Sequence, residues 1–166
     1  MKECVLMVLG LHGGIFDPYV LCLYNEGDLC TSTIGGWSLG GQENSNMVMT
    51  ENTNYIRFEN TEYATSYCYA WARIFNAIPI SNYSKLVVSV KKAYWGYTYA
   101  SDMDSQNSSL QILDADFNEL YVKNFKDINS AETWEIDISN FNVNAKFQFK
   151  LGPESYIEIY SIKLIR

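Results

Sequence analysis

The 166-residue chain holds one histidine, three prolines and no C-x-x-C pair. A relay of nucleophile, histidine and acid needs a positioned imidazole, and a histidine-ligated metal site usually needs more than one. His12, in Leu11-His12-Gly13-Gly14, therefore reads as an arm or turn histidine. Basic residues are scarce as well: twelve Lys and Arg face nineteen Asp and Glu, a net charge of −7, with no local cluster of either cation. Phosphate neutralisation needs a positive stripe, so no nucleic acid and no membrane surface is expected as a partner. Long apolar runs are missing too. The run Cys4 to Leu11 is far below the about 20 residues of a bilayer span, and it makes a poor export signal because Glu3 offsets Lys2 and no small-residue cleavage site follows clearly. The four cysteines, Cys4, Cys22, Cys30 and Cys68, are too sparse for a disulfide scaffold. Buried free thiols are the expectation, with one Cys22 to Cys30 disulfide as the alternative.

What the chain does have is aromatic residues, 15% of the total, with thirteen Tyr and four Trp, a mix that an A+T-rich genome also produces. It also has period-two alternation, the signature of strands with one buried face. Trp134, Ile136 and Ile138 alternate with Thr133, Glu135 and Asp137. Leu86, Val88 and Val90 repeat the pattern, as do Phe147, Phe149 and Leu151 against Lys146, Gln148 and Lys150. Further strands are expected at Tyr19–Tyr24, Met47–Thr50, Tyr55–Phe58, Tyr67–Phe75, Leu110–Leu113, Leu120–Phe125 and Tyr156–Ile165. In the last of these the apolar residues change phase, from Ile157 and Ile159 to Ile162 and Leu164, which requires a bulge near Tyr160-Ser161. Asn25–Asp28, Gly35-Gly36, Gly40-Gly41, Asp114–Asn118 and Gly152-Pro153 carry turn chemistry. About nine or ten short strands with such punctuation predict an all-β sandwich rather than a parallel α/β sheet.

The segments Leu23–Trp37, Ile78–Val90 and Tyr156–Ile165 resemble parts of carbohydrate-binding-module-like (galactose-binding-like) jelly rolls, of the kind also found in bacteriophage tail and fibre proteins. The resemblance implies a jelly-roll β-sandwich over residues 19–166 with its first and last strands near each other, preceded by an apolar N-terminal arm, residues 1–18. It also implies a non-catalytic component of a phage particle, in a fibre, tail or capsid decoration, that touches host glycans. The alternative is a carbohydrate-binding module of a secreted bacterial glycan-degrading enzyme. The arm, with Val5, Leu6, Val8, Leu9 and Leu11, is expected to pack on other copies of the chain or other virion proteins.

Candidate binding residues fall in Ala93–Asp104. If the strand runs on, Trp95, Tyr97 and Tyr99 share one face, and a row of rings stacks on sugar rings, fills a partner's groove or serves as core. Asp102 and Asp104 would then accept hydrogen bonds from sugar hydroxyls. Trp37 and Trp71 are weaker candidates. No catalytic residue, cofactor or metal is assigned. Asp114–Asn118 imitates the start of a calcium loop, but Glu119 stands where Gly is required and Phe125 where Glu is. Glu26 and Asp28 read as a solvated acidic turn, with a structural calcium as the alternative.

Overall fold

The computed structural model describes residues 19–26, 28–30, 34–43, 45–62, 69–96 and 108–166. Residues 1–18, Tyr67 and Cys68 among others therefore lie outside the described set. Thirteen strands form: β1 (Val20–Asn25), β2 (Asp28–Leu29), β3 (Trp37–Gly41), β4 (Met47–Glu51), β5 (Ile56–Asn60), β6 (Ala70–Ile74), β7 (Ile78–Pro79), β8 (Lys85–Tyr94), β9 (Ser108–Asp114), β10 (Glu119–Phe125), β11 (Glu132–Asp137), β12 (Asn144–Leu151) and β13 (Tyr156–Ile165). No helix among the described residues is long and apolar enough to cross a membrane.

Two antiparallel sheets result. The seven-stranded sheet runs β11-β8-β13-β1-β2, with β5 also on β13 and β4 outside β5; the six-stranded sheet runs β10-β9-β12-β6-β3, with β7 on β12. The fold is a jelly-roll β-sandwich, and β1 pairs with β13 as the resemblance implied. Strand β13 is central. One edge pairs with β8, while the other pairs with β5 over Tyr156 to Ile159 and with β1 over Ser161 to Ile165. The phase change in this strand is met by the expected bulge: Ile159 faces Val90 and Ser161 faces Ser89, leaving Tyr160 out of the register. That single extra residue lets Ile157, Ile159, Ile162 and Leu164 all be buried.

Alternation drives the packing. Leu86, Val88 and Val90 of β8, Ile136 of β11 and Phe147, Phe149 and Leu151 of β12 are buried between the sheets. Trp37 of β3 and Phe149 of β12 reach across to Phe58 of β5, with ring centres 4.8 and 5.7 Å apart. Rings at these separations add attraction beyond their area, so they lock one sheet against the other. Asn60, fully buried, donates from Nδ2 to the carbonyl of Leu151 and accepts from the backbone N–H of Asn46.

Three strands go beyond the expected ten. Strands β2 and β7 are two-residue pairings, and β3 runs through Gly40-Gly41, which was expected to turn. The reason is lateral: Gly40 pairs with Trp71 on β6 and Gly41 with Ala70, so the glycines make room for a neighbour's side chain and do not reverse the chain. Gly35 and Gly36 do adopt positive φ, 68° and 89°, as turn residues. The free-thiol expectation fails for one pair. Tyr24 pairs with Leu29 across the β1–β2 hairpin, which brings Cys22 and Cys30 to a Cα separation of 5.5 Å and joins them in a disulfide.

Trp134 is only 5% exposed and its ring centre lies 5.3 Å from that of Phe125. Trp134→Ala is expected to cost about 3–5 kcal/mol in urea unfolding. A loss below about 1 kcal/mol, typical of a surface site, would contradict this register.

Candidate functional site

The outer face of the six-stranded sheet collects polar and aromatic side chains by simple alternation. On β6, Trp71 and Arg73 point away from the core between the buried Ala70, Ala72 and Ile74. On β12, Lys146, Gln148 and Lys150 do the same between Ala145, Phe147, Phe149 and Leu151, the lysines half-buried and Gln148 buried beneath its neighbours. The register places Arg73 opposite Gln148 and Trp71 opposite Lys150, and on the other side of β12 it places Gln111 and Ser109 of β9.

A hydrogen-bonded row then crosses four strands. Arg73 Nη1 donates to Gln148 Oε1 at 3.3 Å, Gln148 Nε2 donates to Gln111 Oε1 at 2.6 Å, and Gln111 Nε2 donates to Glu119 Oε2 at 2.8 Å. Each amide is oriented by its neighbour, so the row is a preset array of donors and acceptors. Trp71 lies over Gly40: a Cβ at that glycine would meet the indole at 2.4 Å. The Arg73 guanidinium carbon sits 4.1 Å from the Trp71 ring centre and 4.3 Å from that of Phe117. Lys150 Nζ lies 4.1 Å from the Tyr69 ring, while Lys146 Nζ lies 5.1 Å from Phe117 and donates to the carbonyl of Phe75 at 2.6 Å.

Phe117 is presented by the turn between β9 and β10, which takes up the motif that imitates a calcium loop. Asp114 Oδ1 accepts from the backbone N–H of Asp116 and Asn118, and Oδ2 accepts from Asn118 Nδ2. These bonds hold Phe117 at a φ of 68°. The acid is a turn clamp, as expected of a hairpin.

The cations of this face differ from those opposite. Burial lowers the pKa of Arg73 and of Lys150, the latter against the opposing pull of Glu119. Burial and then the Arg73 charge lower Lys146. On the seven-stranded sheet the reverse holds: against burial, Glu59 and Glu158 raise Arg57, and Glu158 raises Lys91. Glu158, 7% exposed, lies 3.2 Å from Arg57 Nη1 and 3.0 Å from Lys91 Nζ. Tyr94 stacks on Tyr156 beside this network, ring centres 5.7 Å apart. That face is a neutralised ion network with a ring pair on top.

Comparison with known proteins finds no matching family model and no matching curated protein. Solved structures do match. A variant of a family 29 carbohydrate-binding module complexed with mannohexaose has a TM-score of 0.58 at 10% identity, covering 87% of this chain and 89% of that one. A family 11 carbohydrate-binding module from Clostridium thermocellum, in complex with a beta-1,3-1,4-mixed-linked tetrasaccharide, has a TM-score of 0.55 at 13% identity, covering 89% and 95%. What is shared is the fold. The phage context of the resemblance has no counterpart among these matches.

Of the expected ring row, Trp95 alone is among the described residues. Strand β8 ends at Tyr94, so Trp95 is not part of it; the Trp95 backbone N–H donates to Asp127 Oδ1 at 2.8 Å, and its indole lies 5.5 Å from Lys126 Nζ. Tyr97, Tyr99, Asp102 and Asp104 lie outside the described residues. Trp37 is a core residue, packed on Phe58 and Phe149. Trp71 is the tryptophan that reaches the outer face, and Arg73, Gln148, Gln111, Lys146 and Lys150 had no motif to mark them. Their signal was parity: the alternation that buries Phe147 and Phe149 turns Lys146, Gln148 and Lys150 outward. Glu26 is exposed in its turn, the side chain of Asp28 lies outside the described set, and among the described residues no group of three or more His, Cys, Asp or Glu could hold a metal ion.

The Asp114 clamp sets an acid limit. Hydrogen bonds from the Asn118 side chain and backbone lower its pKa below the ordinary 3.8. A carboxylate depressed in the fold contributes stability that is present above its unfolded value and lost as pH falls through the folded one. The Phe117 ring resonances are therefore expected to stay fixed from neutral pH to 3.8 and to shift only below it. In Asp114→Asn that acid transition should vanish; its persistence would show that another group holds the turn.

Proposed function

We propose that this chain is a non-catalytic glycan-binding module whose platform is the outer face of the six-stranded sheet. The carrying observation is the Trp71 indole seated on Gly40 beside the Arg73, Gln148 and Gln111 row. A sugar ring offers an apolar C–H face and an edge of hydroxyls. An aromatic ring next to preset amide and guanidinium donors answers both at once. A linear oligosaccharide laid across the strands would stack on Trp71 and hydrogen-bond along the row. The sandwich fold shared with two carbohydrate-binding module families supports this reading, since structures of that fold were solved with mannohexaose and with a mixed-linked tetrasaccharide.

The secreted-module alternative is thus the one favoured here, and the Cys22 to Cys30 disulfide agrees with an oxidising, extracellular setting. A place in a phage fibre, tail or capsid decoration rests on the resemblance alone. Two further parts of the proposal are association through residues 1–18, and Trp95, Tyr97, Tyr99, Asp102 and Asp104 as an added stretch of platform; of these residues only Trp95 is among the described ones. Gly96 donates to Ser155, so Trp95 and Gly96 lie beside the turn that follows β12.

Trp71→Ala is expected to weaken binding of mannohexaose at least tenfold, about 1.4 kcal/mol or more, in calorimetry, with a small change in melting temperature because Trp71 is outside the core. Gly40→Ala, which pushes the indole off its seat, should act in the same direction. Unchanged binding in both, with loss in Trp95→Ala or Tyr97→Ala, would move the platform to the other candidate set.

A further inference from the structure

We propose that this face selects a glycan bearing carboxylate groups, an oligouronide, with Arg73, Lys146 and Lys150 as its counter-charges; this rests on the glycan-binding reading. The four ion pairs among the described residues, Arg57 with Glu59, Arg57 with Glu158, Lys85 with Glu135 and Lys91 with Glu158, all lie on the seven-stranded sheet. The cations of the six-stranded face have no carboxylate within ion-pair distance among the described residues. They lean on rings and neutral groups instead: Arg73 on Trp71, Phe117 and Gln148, Lys146 on Phe117 and the Phe75 carbonyl, Lys150 on Tyr69. Burial of a cation without a counter-ion is costly, and here it lowers the pKa of all three groups. An arriving anion would relieve that cost.

The geometry suits carboxylates spaced along a chain. Lys146 and Lys150 are four residues apart on one face of β12, about 13 Å along the strand, with Arg73 level with Gln148 between them. Arg73 commits one N–H to Gln148. A guanidinium carries five such donors in a planar fork that matches a carboxylate. Glu119, at the start of β10 and hydrogen-bonded to Gln111, has β9 and β12 between it and Arg73; its charge acts on Lys150, with which it makes no ion pair. The net charge of −7 works against unspecific capture of polyanions, so selectivity has to come from these three groups at short range.

The test is calorimetric titration of the intact chain at physiological salt with hexamers of galacturonate, glucuronate and mannuronate. The fully methyl-esterified galacturonate hexamer, mannohexaose and a sulfated oligosaccharide serve as references. At least one uronate is expected to bind tenfold or more tighter than both the ester and mannohexaose. Lys146→Gln with Lys150→Gln should abolish that preference by lowering the affinity for the uronate about tenfold or more beyond any loss for neutral mannohexaose, with the melting temperature changed by a few degrees at most. If the neutral sugars bind as well as the acids, the carboxylate inference falls and the glycan-binding reading stands. An equal gain for the sulfated chain shows general polyanion attraction and also overturns it. If no glycan of either charge binds, the glycan-binding reading itself falls.

Discussion

The structure depends on the strict two-residue period of β12. Its odd positions, Ala145, Phe147, Phe149 and Leu151, are buried and hold the two sheets together, and its even positions, Lys146, Gln148 and Lys150, are thereby committed to the outer face. A slip of one residue would put two lysines into the core and two phenylalanines into water. Core and candidate site are thus two consequences of one register, enforced by the apolar side.

Neighbouring strands inherit that constraint. Pairing with β6 fixes Arg73 against Gln148, pairing with β9 fixes Gln111 on the other side, and the β9–β10 turn swings Phe117 up against Arg73. The donors of the row are tied to strands rather than to loops, which holds them where a ligand would need them. On the opposite sheet the bulge in β13 does comparable work: it keeps the apolar residues inward while Glu158 gathers Arg57 and Lys91 outside. The two outer faces end with different chemistry, one neutralised by its own carboxylates and the other left with cations on rings and amides.

Much of the fold was legible in the sequence because alternation is a direct image of a half-buried strand. All ten strands expected from periodicity are present, and the phase change in Tyr156–Ile165 announced its bulge. Strand β3 was not legible, since Gly40-Gly41 reads as a turn until Trp71 is known to lie above it. The disulfide needed the β1–β2 hairpin to bring Cys22 and Cys30 together. The site was harder for a related reason. Trp95, Tyr97 and Tyr99 stand at alternate positions of one short segment, whereas the face is assembled across strands from residues about 75 positions apart, such as Arg73 and Gln148. Taken one strand at a time, Lys146, Gln148 and Lys150 look like any solvated edge.

Everything proposed for this chain turns on ligand being held on the outer face of the six-stranded sheet. An NMR titration of isotope-labelled protein with mannohexaose or an oligouronide addresses it most directly. The largest shifts are expected at the side-chain amides of Gln111 and Gln148, the indole N–H of Trp71 and the guanidinium of Arg73. Shifts gathered instead around Tyr94, Tyr156 and Arg57 on the opposite sheet would contradict it.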